Sequence, residues 1–119
     1  MKGNNKNVSD VLILSKNDAV NEDIKLDFTV MKKAALILRA VNHKLRQSII
    51  KLLEDNGQLT VTEIYVKLRL EQSVASQHLA ILRRAGIVKT NREGKYIYYS
   101  LNKPRISEIT HLVGDLTAA

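Results

Sequence analysis

The chain has 119 residues, of which 45% are hydrophobic, 26% charged and only 4% aromatic. This length predicts one domain with a modest, mainly aliphatic core. With 19 Lys and Arg against 12 Asp and Glu, the formal net charge is +7. A basic domain favours a polyanionic partner, and ordinary solubility charge is the alternative. Cysteine is absent from the sequence, which excludes disulfides, thiolate metal ligands and thiol redox sensing.

The first part of the chain differs in composition from the rest. Residues 1–27 hold four Lys and five Asp or Glu, a net charge of −1, so residues 28–119 carry +8 from 15 basic and 7 acidic residues. We predict a mobile arm over 1–27 and one folded domain over 28–119. No apolar run approaches the roughly 20 residues that cross a membrane, and the run at 11–14 is too short for a signal-peptide core. A cytoplasmic protein without a membrane partner is expected.

Two helices are predicted first. Apolar residues recur at three- and four-residue steps over residues 28–41, and a second stripe covers 45–53. Asn42 is the expected N-cap of the second helix, and Asn56-Gly57 is expected to end it.

A short third helix and a longer fourth helix follow. Thr60 and Glu63 predict a capping box, in which the threonine hydroxyl accepts from the N3 amide and the glutamate reaches back. Residues 72–84 supply the fourth helix. At about 100° per residue, its buried face consists of Ala75, Leu79 and Leu82.

After Gly86 the period of the apolar pattern changes to two. Residues 87–90 and 95–101 are predicted strands joined by a turn at 91–94, and Pro104 fits the first turn of a last helix. The predicted order is α-α-α-α-β-β-α, a mainly α fold with a β-hairpin wing. Two short helices with a tight turn, followed by a hairpin, are typical of a winged helix-turn-helix.

The outward face of the fourth helix has the chemistry of a DNA reader. Gln makes bidentate contacts with adenine, Ser adapts to several base edges, and a small apolar group contacts a thymine methyl. The helix start also favours phosphate. His78 falls at the edge of the buried face, so a packed histidine at the protein–DNA boundary competes with direct base contact. The candidate recognition residues are Gln72, Ser73, Val74, Ser76, Gln77, His78 and Arg84.

The hairpin is the second candidate DNA contact. From Arg83 to Arg105 there are seven Lys or Arg and one acid, Glu93. A basic wing enters the minor groove or binds phosphates, and a merely solvated hairpin tip is the alternative. The candidate wing contacts are Lys89, Arg92 and Lys95.

Tight binding to a palindromic operator takes two such domains about one helical turn apart. The first and last helices carry apolar stripes that a small core does not fully use, which predicts a homodimer. Helices that only cap their own core are the alternative. The candidate dimer residues are Met31, Ala35, Leu38, Ile106, Ile109, Val113 and Leu116.

The sequence from Met31 to Leu116 resembles the ArsR/SmtB family of dimeric winged-helix repressors. The resemblance rests on SVASQHL at 73–79, LR at 82–83, AGIV at 85–88, YYSL at 98–101, and His43 with Arg46 before the apolar residues of the second helix. It implies a cytoplasmic homodimer that binds an imperfect palindromic operator through Gln72, Ser73, Ser76, Gln77 and His78. Two departures concern the turn: Glu71 replaces the usual serine N-cap, and Arg69 stands where a turn-tolerant residue is common.

The family's metal-sensing positions are altered in this sequence. Members with metal sites use cysteines at positions that match Thr60 and Thr62, or Asp and His at positions that match Lys103 and Arg105. Charged Lys and Arg side chains do not donate to a metal. The chain is therefore more similar to members without metal sites, such as regulators of nodulation and haemolysin genes, and neither a cofactor nor a metal is expected.

Three functions remain open at this point. The first is a metal-free transcriptional regulator, a repressor or an antirepressor that displaces another DNA-binding protein. The second is a metal-responsive repressor that uses His111 and Asp115, with His43 across the dimer. The third is a winged helix used for protein or RNA contacts. An enzyme is not expected, because the histidines are dispersed and neither a Gly-rich phosphate loop nor a carboxylate pair is present.

Overall fold

A computed structural model describes residues 26–118. The arm expected over 1–27 lies outside the described residues except for Leu26 and Asp27. Five helices and three strands make up the described part of the chain, which confirms a mainly α fold with a β-hairpin wing. They are α1 (Phe28–Val41), α2 (Lys44–Asn56), β1 (Gln58–Thr60), α3 (Val61–Leu68), α4 (Gln72–Arg84), β2 (Val88–Glu93), β3 (Tyr96–Leu101) and α5 (Lys103–Thr117).

The boundary between α1 and α2 differs from the prediction. Asn42 ends α1 by donating its backbone N–H to the Leu38 carbonyl oxygen, so its prediction as an N-cap was wrong. The N-cap of α2 is His43, whose Nδ1 accepts from the Leu45 amide at 3.1 Å. An imidazole nitrogen satisfies a first-turn N–H as an asparagine oxygen does.

The sheet has the order β1-β3-β2, with both pairings antiparallel. The strand β1 was not predicted, because its three residues are too few to show an alternating apolar pattern. They directly follow the end of α2, and the last of them, Thr60, is also the first residue of the capping box. The predicted turn at 91–94 was too early: β2 continues to Glu93, which pairs with Tyr96. The turn is Gly94-Lys95, and Gly94 has a φ of 64°, as glycine does at the first turn position of a type II′ hairpin.

The capping box at the start of α3 is confirmed. Glu63 Oε1 accepts from the Thr60 amide at 2.9 Å, and Thr60 Oγ1 accepts from the Glu63 amide at 3.2 Å. Pro104 lies in the first turn of α5, as expected, behind the N-cap Asn102.

The core is aliphatic and joins all layers of the fold. Ile49, Leu53, Ile64, Leu79 and Leu82 have at most 1% of their surface exposed. Because α4 supplies two of them, its orientation is fixed by burial rather than by its ends.

The apolar stripes of α1 and α5 are only partly used by this core. Ile106 and Ile109 pack against it, whereas Val113 and Leu116 are exposed on the same side of α5. On α1, Met31 and Ala35 are exposed and Leu38 is half-buried.

Candidate nucleic-acid interface

The inward face of α4 is the one that the sequence predicted. Ala75, Leu79 and Leu82 are buried, with exposures of 0%, 1% and 0%. They hold α4 against α2, α3 and the sheet, so the opposite face of the helix must point to solvent.

The outward face of α4 is polar, small and accessible. Ser73, Ser76 and Gln77 are exposed, Gln72 is exposed at the first helical position, and Val74 is half-buried. Within residues 26–118 the side chains of these serines and glutamines make no hydrogen bond to the protein. Their donors and acceptors are therefore available to a ligand such as a base edge.

The beginning of α4 leaves amide groups available. Its N-cap Glu71 makes no side-chain capping hydrogen bond, whereas the Glu71 carbonyl oxygen accepts from Val74 and Ala75. The Gln72 and Ser73 amides thus face outward at the positive end of the helix, which suits a phosphate. The preceding turn contains Arg69 in the left-handed region, with φ 58° and ψ 46°.

His78 lies at the edge between the buried and outward faces, half-buried, as expected from its position on the helix. Its Nδ1 is 3.1 Å from Arg46 Nη1, and its ring centroid is 4.8 Å from that of His43. Burial lowers the pKa of His78 below its ordinary value, and the nearby His43 and Arg46 charges lower it further.

Arg46 entered the sequence prediction only as part of the family resemblance, and its structural role was not predicted. It is 8% exposed, and its guanidinium donates to the Ala40 carbonyl oxygen at 2.7 Å and to the Arg39 carbonyl oxygen at 3.3 Å. Its place on the stripe with Ile49 and Leu53 was a usable indication, since a charged residue on a buried face needs polar partners.

The wing is a two-stranded ribbon with cations on β2 and at its tip. Lys89 and Arg92 are exposed on β2, and Lys95 is in the turn. Arg92 donates to the Gly94 carbonyl oxygen at 3.4 Å, and Lys95 Nζ lies 5.5 Å from the Tyr96 ring centroid. Both contacts are local, so the two charges remain available to phosphate. Arg84 is likewise exposed in the last turn of α4.

Two of the altered metal-sensing positions have structural uses of their own. Thr60 belongs to the capping box, and Arg105 lies against Gly86, where a Cβ would be 3.2 Å from Arg105 Nε. His111 and Asp115 are exposed on α5. In the part of the chain that is described, no three His, Cys, Asp or Glu side chains come together as a metal site would require. None of the helices in this part has the length and apolar character needed to span a membrane.

This arrangement defines a winged helix-turn-helix protein: α3 and α4 form the helix-turn-helix, and β2 and β3 form the wing. The sequence profile described as "Bacterial regulatory protein, arsR family" matches residues 43–90. An uncharacterized HTH-type transcriptional regulator of Methanocaldococcus jannaschii is 41% identical over 71% of this chain and 96% of its own. The chain therefore belongs to the arsR family of transcriptional regulators.

Solved structures agree with this assignment. The transcriptional repressor PagR of Bacillus anthracis has a TM-score of 0.60 at 36% identity, with 73% of this chain and 99% of PagR covered. NolR of Sinorhizobium fredii has a TM-score of 0.62 at 28% identity, with 80% of this chain and 97% of NolR covered. The transcriptional activator HlyU of Vibrio cholerae is 38% identical in sequence over 71% of this chain and 77% of its own.

Proposed function

We propose that this regulator binds a palindromic DNA operator as a homodimer and represses transcription from it in the cytoplasm. The observation that carries the proposal is the outward face of α4, where Ser73, Ser76 and Gln77 are exposed and make no side-chain hydrogen bond within residues 26–118. The other face of this helix is fixed in the core. The relative named a transcriptional repressor, PagR, supports repression; HlyU, named an activator, makes antirepression the second possibility.

In this proposal α4 lies in the major groove and reads bases, while the wing and the ends of α4 bind phosphates. Gln77 and Ser76 approach base edges, and Val74 approaches a thymine methyl. Lys89, Arg92 and Lys95 add the sequence-independent affinity.

The proposed dimer uses α1 and α5. Val113 and Leu116, together with Met31 and Ala35, form apolar surface that the core of one chain leaves exposed. A second copy that covers this surface would present two α4 helices to successive turns of one face of the duplex.

The deciding experiment is selection of bound duplexes from a random library with the full chain, followed by affinity measurements on the enriched site. We expect a two-fold sequence motif bound at least about a thousandfold more tightly than random duplex, as specific sites are. Equal affinity for the enriched duplex, a random duplex and RNA of the same sequence would refute the proposal. Zinc added to the same assay should leave operator affinity unchanged, because regulation is proposed to be metal-free.

A further inference from the structure

A cavity of about 480 Å³ lies between α1, the last turn of α4 and the first turn of α5. Its volume is in the range of small-ligand sites, about 300–1,000 Å³. The wall is apolar, with Leu36 and Ile37 from α1 and Ile81 from α4, and the two alanines that complete it add no polar side chain. A ligand with an apolar body fits this wall.

Among residues 26–118, three cations also line the cavity and no acid does. Lys33, Arg84 and Arg105 come from three different helices. Arg105 makes an exposed pair with Glu108 at 3.7 Å, whereas Lys33 and Arg84 have no ion pair within residues 26–118. An inorganic anion would leave the apolar wall unused, and a neutral hydrocarbon would leave the cations unused. The lining is complementary to a molecule that has both parts.

The proposed dimer leaves this cavity open. On the α1 helix, Lys33, Ile37 and Ala40 lie about 180° around the axis from Met31 and Ala35. The buried state of Ala40 fixes the first face against the same chain's α4. A second copy on the opposite face would therefore not occupy the cavity.

We propose that this cavity binds an organic carboxylate with an apolar body, such as a medium-chain fatty acid, and that this ligand regulates DNA binding. The carboxylate lies among Lys33, Arg84 and Arg105, and the hydrocarbon part lies along Ile37 and Ile81. Because Arg84 ends the helix that is proposed to read DNA, an anion bound there neutralises a charge that otherwise attracts phosphate. This last step rests on the proposed function; the binding itself does not.

The binding is tested by calorimetry on the full chain without DNA, with decanoate below its micelle concentration as the probe. We expect saturable binding of one decanoate per chain, and binding of 1-decanol and decylammonium that is about tenfold weaker or less, since each lacks the anion that the cations attract. Equal binding of the three compounds, or none that saturates for decanoate, would overturn the site.

Two charge variants test whether decanoate binds in this cavity. Lys33→Glu should weaken decanoate binding about tenfold, because a repulsive charge replaces an attractive one. Lys32→Glu is the matched control: this neighbouring lysine is exposed on α1 but does not line the cavity, so decanoate affinity should stay within about twofold. Equal losses in both variants would show only a general charge effect and would overturn the assignment. Methyl NMR shifts should appear at Ile37 and Ile81; shifts confined to Met31 and Val113 would place decanoate on the dimer face instead.

Regulation is measured last. Saturating decanoate should weaken operator binding about fivefold or more, the lower end of ordinary coupling between two sites. If decanoate binds in calorimetry but operator affinity does not change, the regulatory half of the proposal is wrong. If the chain selects no operator at all, the proposed function fails, and the calorimetric result on the cavity is unaffected.

Discussion

Arg46 connects the end of α1 to α4: its Nη1 lies 3.1 Å from His78 Nδ1 while its Nε donates to the Ala40 carbonyl oxygen at 2.7 Å. A guanidinium has only donors, so His78 must present Nδ1 without a proton and is neutral in this contact. Burial and the His43 and Arg46 charges lower the pKa of His78, which favours that same state. A charged His78 would face a cation at this distance.

Acidification should therefore weaken the folded state through His78. Its folded-state pKa lies below the ordinary 6.5, so the unfolded chain binds more protons in mild acid. The contribution of neutral His78 is fully present above pH 6.5 and is lost as the pH falls from there through the folded-state pKa. Urea unfolding of wild type and His78→Gln measures this, because Gln accepts from Arg46 without titrating.

As the pH falls from about 8 to about 5, we expect the unfolding free energy of the wild type to decrease relative to that of His78→Gln. Carboxylates protonate equally in both chains, so the comparison isolates the imidazole. A difference that stays constant over this range would contradict the assignment of His78 as neutral.

Gln77→Ala should cost about 1–3 kcal/mol in operator binding and little on random duplex, because the side chain is proposed to pair with a base. Fluorescence anisotropy with both duplexes measures the two losses. Gln58→Ala is a matched control, since Gln58 is exposed on the edge strand β1 and should leave both affinities unchanged. Equal losses on the two duplexes for Gln77→Ala would mean that Gln77 does not read sequence.

Arg92→Ala should weaken binding to operator and random duplex alike. Because the variant binds one phosphate fewer, the slope of log affinity against log salt should fall by about one unit. Lys51→Ala serves as the control, because this exposed lysine is on α2 and is engaged by Glu54 and Asp55 at 3.9 and 3.5 Å. An unchanged slope for Arg92→Ala would leave the wing tip as a solvated hairpin.

The sequence predicted those parts of the fold that depend on local chemistry. The Thr60–Glu63 box, the position of Pro104 and the buried face of α4 follow from neighbours within a few residues, and all are present. The strand β1 does not follow from neighbouring residues, because it forms only by pairing with a distant strand, in which Tyr99 is the partner of Leu59.

The candidate interface likewise has a part that local sequence predicted and a part that it did not. Which residues of α4 face outward follows from helical periodicity, so Ser73, Ser76 and Gln77 were identified correctly as outward-facing. The support behind α4 was not predictable, because Arg46 and His78 are 32 residues apart and no pattern in either segment indicates the contact. Their shared environment exists only after α1, α2 and α4 have packed.

Arg69→Gly should stabilise the chain. Arg69 has φ 58° and ψ 46°, a conformation that costs a residue with a Cβ about 1–2 kcal/mol. Glycine removes this strain, but it also gives the unfolded chain more conformational entropy, which offsets part of the stabilisation. We expect a net increase of about 0.5–1 kcal/mol in unfolding free energy, measured by urea denaturation. Arg69→Ala, which removes the charge but keeps the Cβ, should show no such increase; an equal gain in both variants would point to the charge instead of the backbone.

Replacement of Val113 and Leu116 by Glu tests the proposed dimer without changing any residue of the buried core. Both side chains are exposed, at 37% and 39%, so the helical content of the chain should not change. In the proposed dimer the new carboxylates are buried unpaired, a penalty of about 3–5 kcal/mol, and dimer dissociation should rise at least a hundredfold or so. His111→Glu is the control, since His111 is exposed about 180° away on the same helix. Sedimentation equilibrium should show monomers for the double variant and dimers for the control.

Because one α4 contacts only half of a two-fold operator, the monomeric variant should also lose most operator affinity while it keeps its binding to random duplex. A double variant that remains dimeric would show that α1 and α5 only cap their own core.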